Sequence, residues 1–285
     1  MHSLEHTHLS VNLLGPLTAS HGGQAIAAPG GRQRAVLALL ALDPNHTITR
    51  DRLMAELWTG EPPASAAANL RTYLSGVRRW LDRIGPPGAY QLQHAGNGWT
   101  VRLGPGCRME TDVTAFERDF GLGRTAMKSG QHADAVVPLR RAVLACRGVP
   151  LLDVPQGPAL ASRASILRAQ WLAVVEDYAS ALLGLNDHDA ARSLLYEHLA
   201  RHPYRERAWG QLMLASYRAG DPAAALDTFR AARAALVEGL GIEPGPQLRS
   251  LHRLMLHRDP ALDGGAAARR RAGRHAPTPV RARAS

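Results

Sequence analysis

Cysteine is scarce: Cys107 and Cys146 are the only two in 285 residues. Two such thiols make no disulfide framework, and the chain reads as made for the reducing cytoplasm. Aromatic residues amount to 5%, against 45% hydrophobic residues overall. Leu, Ala and Val must therefore fill the core, and that composition leans towards helix. Long apolar runs are missing as well. No stretch of about 18 apolar residues occurs, which argues against a membrane-spanning helix and any membrane partner. The start, "MHSLEHTHLS", lacks the basic-then-apolar order of a signal peptide. Lysine is nearly absent, Lys128 being the only one. That arginine bias is of the kind a GC-rich genome produces.

What is present is enough chain for two ordinary domains and an uneven positive charge. The formal net charge is +10. Residues 1–110 hold 10 basic and 7 acidic residues, residues 111–263 hold 18 and 17, and residues 264–285 hold 6 and 0. The excess sits in the tail and, modestly, in the N-terminal part. Basic charge suits polyanionic partners, and a basic tail also serves plain solubility. His2, His6 and His8 sit at an end with no fixed geometry for a metal.

The N-terminal part has a readable order. "LSVNLLGPLTAS" and "GGQAIAAP" read as short strands with a glycine turn between them. "GRQRAVLALLALDPN" turns helical and stops at Pro44. "TITRDRLMAELW" gives a second helix, with Thr49 as N-cap and Asp51 in the first turn. After "GEPPAS" comes "AANLRTYLSGVRRWLDRIG", Ala67 to Gly85. With each residue turning about 100°, Leu70, Tyr73, Leu74, Val77, Trp80, Leu81 and Ile84 fall inside one arc of roughly 120°. Arg71, Thr72, Ser75, Arg78, Arg79 and Arg83 fall outside it. "AYQLQHA" and "GWTVRL" then alternate about Gly96, Asn97 and Gly98, a hairpin signal. Strands, three helices and a hairpin make a winged helix-turn-helix, whose third helix reads DNA.

Alone, the third helix reads first as an ordinary amphipathic helix with a solvated arginine face. Its place in that order favours the DNA reading. Arginine offers a planar fork that grips guanine or straddles a phosphate. Arg71, Thr72 and Ser75 lie near the helix start, where base edges are met. Arg78 and Arg79 follow a turn later and suit phosphates or bases. Arg34 and Arg52, near the starts of the first two helices, suit the flanking backbone. Asn97, at the hairpin tip, suits the adjacent minor groove.

"LGPGCRMETD" reads as a hinge, and beyond it the pattern is helical for about 150 residues. Gly130, Ala135, Leu139 and Ala142 share their spacing with Gly220, Ala225, Phe229 and Ala232. Ala190 and Leu194 give a looser third copy. The interval from 190 to 225 is close to the ~34-residue tetratricopeptide period. An extra helix at about 159–183 interrupts the array. Such stacks make concave surfaces for partners, or a scaffold for dimerisation.

Nucleotide and metal chemistry are not predicted. "GLGRTAMKS" imitates a phosphate loop, but Met127 takes the place of the second Gly and no strand precedes it. His198 and His202 are four apart on a helix, yet Glu197 is misplaced for H-E-x-x-H, so surface or cap roles are expected. No nucleophile elbow or isolated acid pair occurs. No enzyme, cofactor or metal is expected.

"GGRQRAVLALLALDPNHTITRDRLMAELW", "EPPASAAANLRTYLSGVRRWL" and "GWTVRL" resemble the DNA-binding half of the actinobacterial antibiotic regulatory protein family. "LGIEPGPQL" and "RDPAL" resemble the end of its bacterial transcriptional activation domain. The resemblance implies a mainly α fold with a small β component. An OmpR-like winged helix-turn-helix (9–108) precedes an all-α, tetratricopeptide-like activation domain (109–263). Disordered residues 1–8 and a disordered basic tail (264–285) flank them. It also implies a pathway-specific activator of antibiotic biosynthesis, working at the nucleoid. Such an activator binds direct repeats in double-stranded promoter DNA as side-by-side homodimers. It recruits RNA polymerase holoenzyme, including its sigma factor. Thr72, Ser75, Arg78 and Arg79 match the family's recognition helix, while Gly76 stands where a long basic or polar residue is usual. Larger relatives continue into an ATPase module where this chain ends. The residues alone leave open a repressor whose helical half only dimerises, and a protein–protein adaptor.

Overall fold

The computed structural model describes residues 8–44 and 46–263; the basic tail, His2 and His6 lie outside them. The chain forms two compact units. One holds the residues up to Leu122 together with Pro138–Val174, the other Gly123–Val137 and the residues from Val175.

The first unit opens with three strands, not two: β1 (His8–Asn12), β2 (Thr18–His21) and β3 (Gln24–Ile26). Gly15 and Pro16 break the first run, and β1 and β2 pair antiparallel with Leu9 opposite His21. Helix α1 (Arg32–Leu42) is buried all round from Ala35 to Ala41, as an apolar helix must be. β4 (Ile48–Thr49) leads into α2 (Arg50–Leu57), where Thr49 caps the Arg52 amide. Helix α3 (Ala66–Leu81) buries Leu70, Leu74, Val77, Trp80 and Leu81, one side of the predicted wheel. The Trp80 indole donates to Ala27 O at 2.7 Å, which fixes the rotation of α3. The hairpin forms as read, with β5 (Tyr90–Ala95) and β6 (Gly98–Leu103) in register Ala95 to Gly98.

The predicted hinge is a strand. Residues Arg108–Thr111 form β7, parallel to β1, with Met109 and Thr111 inside. Period-two burial over four residues is too short to announce itself against the preceding Gly-Pro-Gly. The sheets run β3-β2-β1-β7 and β4-β6-β5. α4 (Asp112–Lys128) follows directly, and "GLGRTAMK" is continuous helix within it. α5 (His132–Ala145) and α6 (Pro158–Gly184) come next.

Three carboxylates tie these later residues to the N-terminal ones. Asp112 accepts from Leu13 N at 2.6 Å and Leu14 N at 3.0 Å. Asp153 accepts from Leu17 N at 2.7 Å. Glu56, at the end of α2, accepts from Ala159 N at 2.8 Å and Leu160 N at 3.0 Å, the first turn of α6. Charged acceptors on backbone donors make strong hydrogen bonds, so winged-helix and activation-domain residues share one unit.

The second unit continues with α7 (His188–Arg201), α8 (Glu206–Arg218), α9 (Pro222–Leu240) and α10 (Pro246–Leu256). The repeat reading finds its counterpart in burial for two of its three copies; in the looser third, Ala190 and Leu194 are half-buried and Ala191 and Leu195 are buried instead. Ala135, Leu139, Ala142, Ala225 and Ala232 are all fully buried. Gly130 and Gly220 turn the chain at φ 70° and 88°, a conformation that favours glycine. Asp187 and Asp221 cap α7 and α9. One expectation fails here: His198 is buried at 4% exposure, while His202 does cap α7. Buried Glu176 holds Arg205 at 2.6 Å and Arg207 at 3.5 Å.

Candidate nucleic-acid interface

The polar side of α3 is open. Arg71, Thr72, Ser75, Arg78 and Arg79 are all exposed. The other face is fixed by the core and by Tyr73 stacked on Trp58 at 6.3 Å. Arg32 lies over the Trp58 ring at 5.3 Å, a favourable cation–π contact. Thr72 donates its hydroxyl proton to Ala68 O at 3.1 Å, so it offers a lone pair and a methyl outward.

The wing is pinned beside the starts of α2 and α3. Ile48 pairs with Trp99 and Thr49 with Gly98, and Arg50 N donates to Asn97 O at 3.0 Å. A Cβ at Gly98 would run into the Ile48 carbonyl. The close approach of β4 therefore requires glycine there. Replacing Gly98 by alanine should push β4 from β6 and cost about 2 kcal/mol, visible as a lowered thermal midpoint.

These pairings create a cleft of about 450 Å³ walled by Arg50, Asp51, Arg71, His94, Asn97 and Trp99. His94 meets Trp99 edge-on at 5.2 Å. Two guanidiniums outweigh the single carboxylate of Asp51, and with an imidazole and a carboxamide around an apolar floor they suit a sugar-phosphate unit. Arg71 and Asn97, predicted separately, meet here. Arg50 and His94 were missed, because only the pairing of Thr49 with Gly98 brings them in, and no local period encodes it.

Among the described residues, Arg50, Arg52, Arg71, Arg78 and Arg79 have no carboxylate partner. Unpaired guanidiniums attract a polyanion. Arg34 is different. Its guanidinium pairs with Asp153 and donates to Pro29 O at 2.9 Å. An arginine engaged by a carboxylate and a carbonyl is not free for a phosphate.

Gly76, where the family resemblance implies a long side chain, is buried beneath the side chain of Gln33 from α1. No helix among the described residues is long and apolar enough to cross a membrane.

Comparison with known proteins gives this geometry a context. Residues 111–256 match the family model described as the bacterial transcriptional activator domain. Regulatory protein DnrI of Streptomyces peucetius is 34% identical over 260 residues, covering 90% of this chain and 94% of that one. Transcriptional regulator RedD of Streptomyces coelicolor is 30% identical over 258 residues, covering 89% and 72%. The structure of Mycobacterium tuberculosis EmbR, bound there to a low-affinity phosphopeptide, superposes with a TM-score of 0.80 at 29% identity. It covers 94% of this chain and 69% of that one. With these relatives and a winged helix-turn-helix ahead of tetratricopeptide-like helices, the chain belongs to the actinobacterial antibiotic regulatory protein family of transcriptional regulators.

Proposed function

We propose that this protein is a sequence-specific, DNA-binding transcriptional activator of a secondary-metabolite pathway, acting in the cytoplasm at the nucleoid. The relatives named as a regulatory protein and a transcriptional regulator support a role in transcription, and membership of the antibiotic regulatory protein family supports the pathway class. The observation that carries the DNA reading is the open arginine face of α3 beside the cleft at the wing. In this reading residues 9–108 are the DNA-binding domain and residues 109–263 the activation domain. Arg71, Thr72 and Ser75 meet base edges, Arg78 and Arg79 meet bases or phosphates, and Arg52 holds the flanking backbone. Arg50 and His94 join Arg71 and Asn97 around one sugar-phosphate unit. Arg34 is left out, because Asp153 engages it. Two copies lie side by side on direct repeats, and the activation domain recruits RNA polymerase holoenzyme with its sigma factor.

The test is promoter binding across a salt series. Each phosphate contact contributes about −0.9 to the slope of log affinity against log salt. Replacing Arg78 and Arg79 together by alanine should flatten the slope by up to about 2 and weaken promoter binding about 100-fold or more. Unchanged binding by that variant removes α3 as the reading element. Transcription with purified polymerase addresses the activator half: repression without activation would support a repressor instead.

A further inference from the structure

The polar half of α3 has one gap. Gly76 lies between Thr72, four residues before it, and Arg79, three after it, yet it presents no side chain of its own. The gap is filled from another helix. A Cβ at Gly76 would stand 2.5 Å from Gln33 Cδ and Oε1 and 2.6 Å from Gln33 Nε2. The terminal carboxamide of Gln33, not its stem, occupies the place of the missing side chain. Gln33 is half-buried, and its carboxamide makes no hydrogen bond to any described residue. A carboxamide carries two N–H donors and an acceptor oxygen, so this one lies against Gly76 with its polar capacity unspent.

We infer that Gln33 is a DNA-contacting residue, supplying from α1 a hydrogen bond to a backbone phosphate at the edge of the α3 face. This rests on the DNA reading above and adds to it a residue outside the recognition helix. The wheel selects phosphate over base. Position 76 lies about 90° from the middle of the exposed face, and so towards the groove wall, where sugar-phosphate lies rather than base edges. The Nε2 group donates to a phosphate oxygen; no charge is added, and no counterion is released by the contact. The glycine serves the contact, because any side chain at 76 would displace the carboxamide.

The experiment measures binding of the full-length protein to its promoter duplex and to a scrambled duplex, each across salt. Gln33→Ala is expected to weaken both about fivefold, the factor of one neutral hydrogen bond, with the salt slope unchanged. Gln33→Glu should weaken both further, through repulsion of phosphate, and steepen with falling salt. Gly76→Ala, which keeps Gln33 but moves its carboxamide, should mimic Gln33→Ala without lowering the thermal midpoint. In Gln33→Ala/Gly76→Gln the carboxamide returns on α3 itself, and affinity should recover. Wild-type affinity in Gln33→Ala and Gln33→Glu, with folding intact, overturns the inference. A loss confined to the promoter duplex overturns the phosphate assignment in favour of a base contact. The Arg78/Arg79 variant run in parallel separates the two levels. If it binds as wild type, the recognition-helix reading fails and this inference with it; if it loses binding while the Gln33 variants do not, only this inference fails.

Discussion

Glu56→Ala is expected to lower the stability of the first unit by about 3 kcal/mol. Helix α6 is 27 residues long and starts at Pro158. Its N-cap position is Gly157, which has no side chain to satisfy the first-turn amides. It cannot acquire one, because a Cβ at 157 would collide with the backbone of Glu56. The cap comes instead from the Glu56 carboxylate, 4% exposed, with one oxygen on Ala159 N and the other on Leu160 N. Alanine removes both acceptors where water does not replace them, and it removes a negative charge from the positive end of a long helix. For a unit of this size the thermal midpoint should fall roughly 6–12 °C. Glu56→Gln keeps one acceptor and turns a donor towards the second amide, so it should sit between alanine and wild type. A Glu56→Ala melting curve that overlays the wild type would mean that α6 is not capped in this way.

Acidification should destabilise the second unit through His198. Burial, followed by the charges of His202 and Arg205, pushes its pKa from 6.5 down to about 4. Glu176 Oε1 lies 4.0 Å from His198 Nε2 and favours the protonated ring, but at that length, with Arg205 already on the same oxygen, burial dominates. His198 is therefore neutral at pH 7 and the pair is not an ion pair there. The unfolded chain takes up its proton near pH 6.5, while the folded chain resists until about pH 4. Between those values the unfolded state binds more protons, so stability falls as pH drops. The loss reaches about 3 kcal/mol at the acid end. His188 and His252 are shifted downward too, by burial first, and act in the same sense. Denaturation midpoints followed from pH 7.5 to 4.5 should decline for wild type and decline less for His198→Phe. Parallel curves would place the acid sensitivity elsewhere.

Much of the fold was legible locally. The 3.6-residue period of α3 found its buried face because a helix against a core must segregate its residues. Thr49 and the Gly96-Asn97 turn declared an element boundary and a hairpin by chemistry confined to four or five residues. The repeat was legible because close helix pairs need alanine at the contacts. The site was legible in outline only. Arg71, Thr72, Ser75, Arg78 and Arg79 lie on the open face. By contrast Arg50 and His94 reach the cleft through β-pairing, and Gln33 reaches Gly76 through helix–helix approach, which leave no mark at helical or strand spacing. The burial of His198 was missed because one histidine on a helix carries no sign of which side it faces.

The sequence by itself determined the helices of the N-terminal part and the hairpin, though not the short strand β7, because period, caps and turn residues act within a few positions of one another. Only the tertiary structure decided which arginines are free and which residues share a unit. Arg34 and Arg52 are alike as letters, yet a carboxylate 119 residues further along the chain engages Arg34 and none among the described residues engages Arg52. The bonds that join Leu13, Leu14 and Leu17 to Asp112 and Asp153 likewise span 98 to 136 residues. A charge acts through distance in space, and the distance between two side chains so far apart in sequence is set by the packed backbone, not by the spacing of the letters.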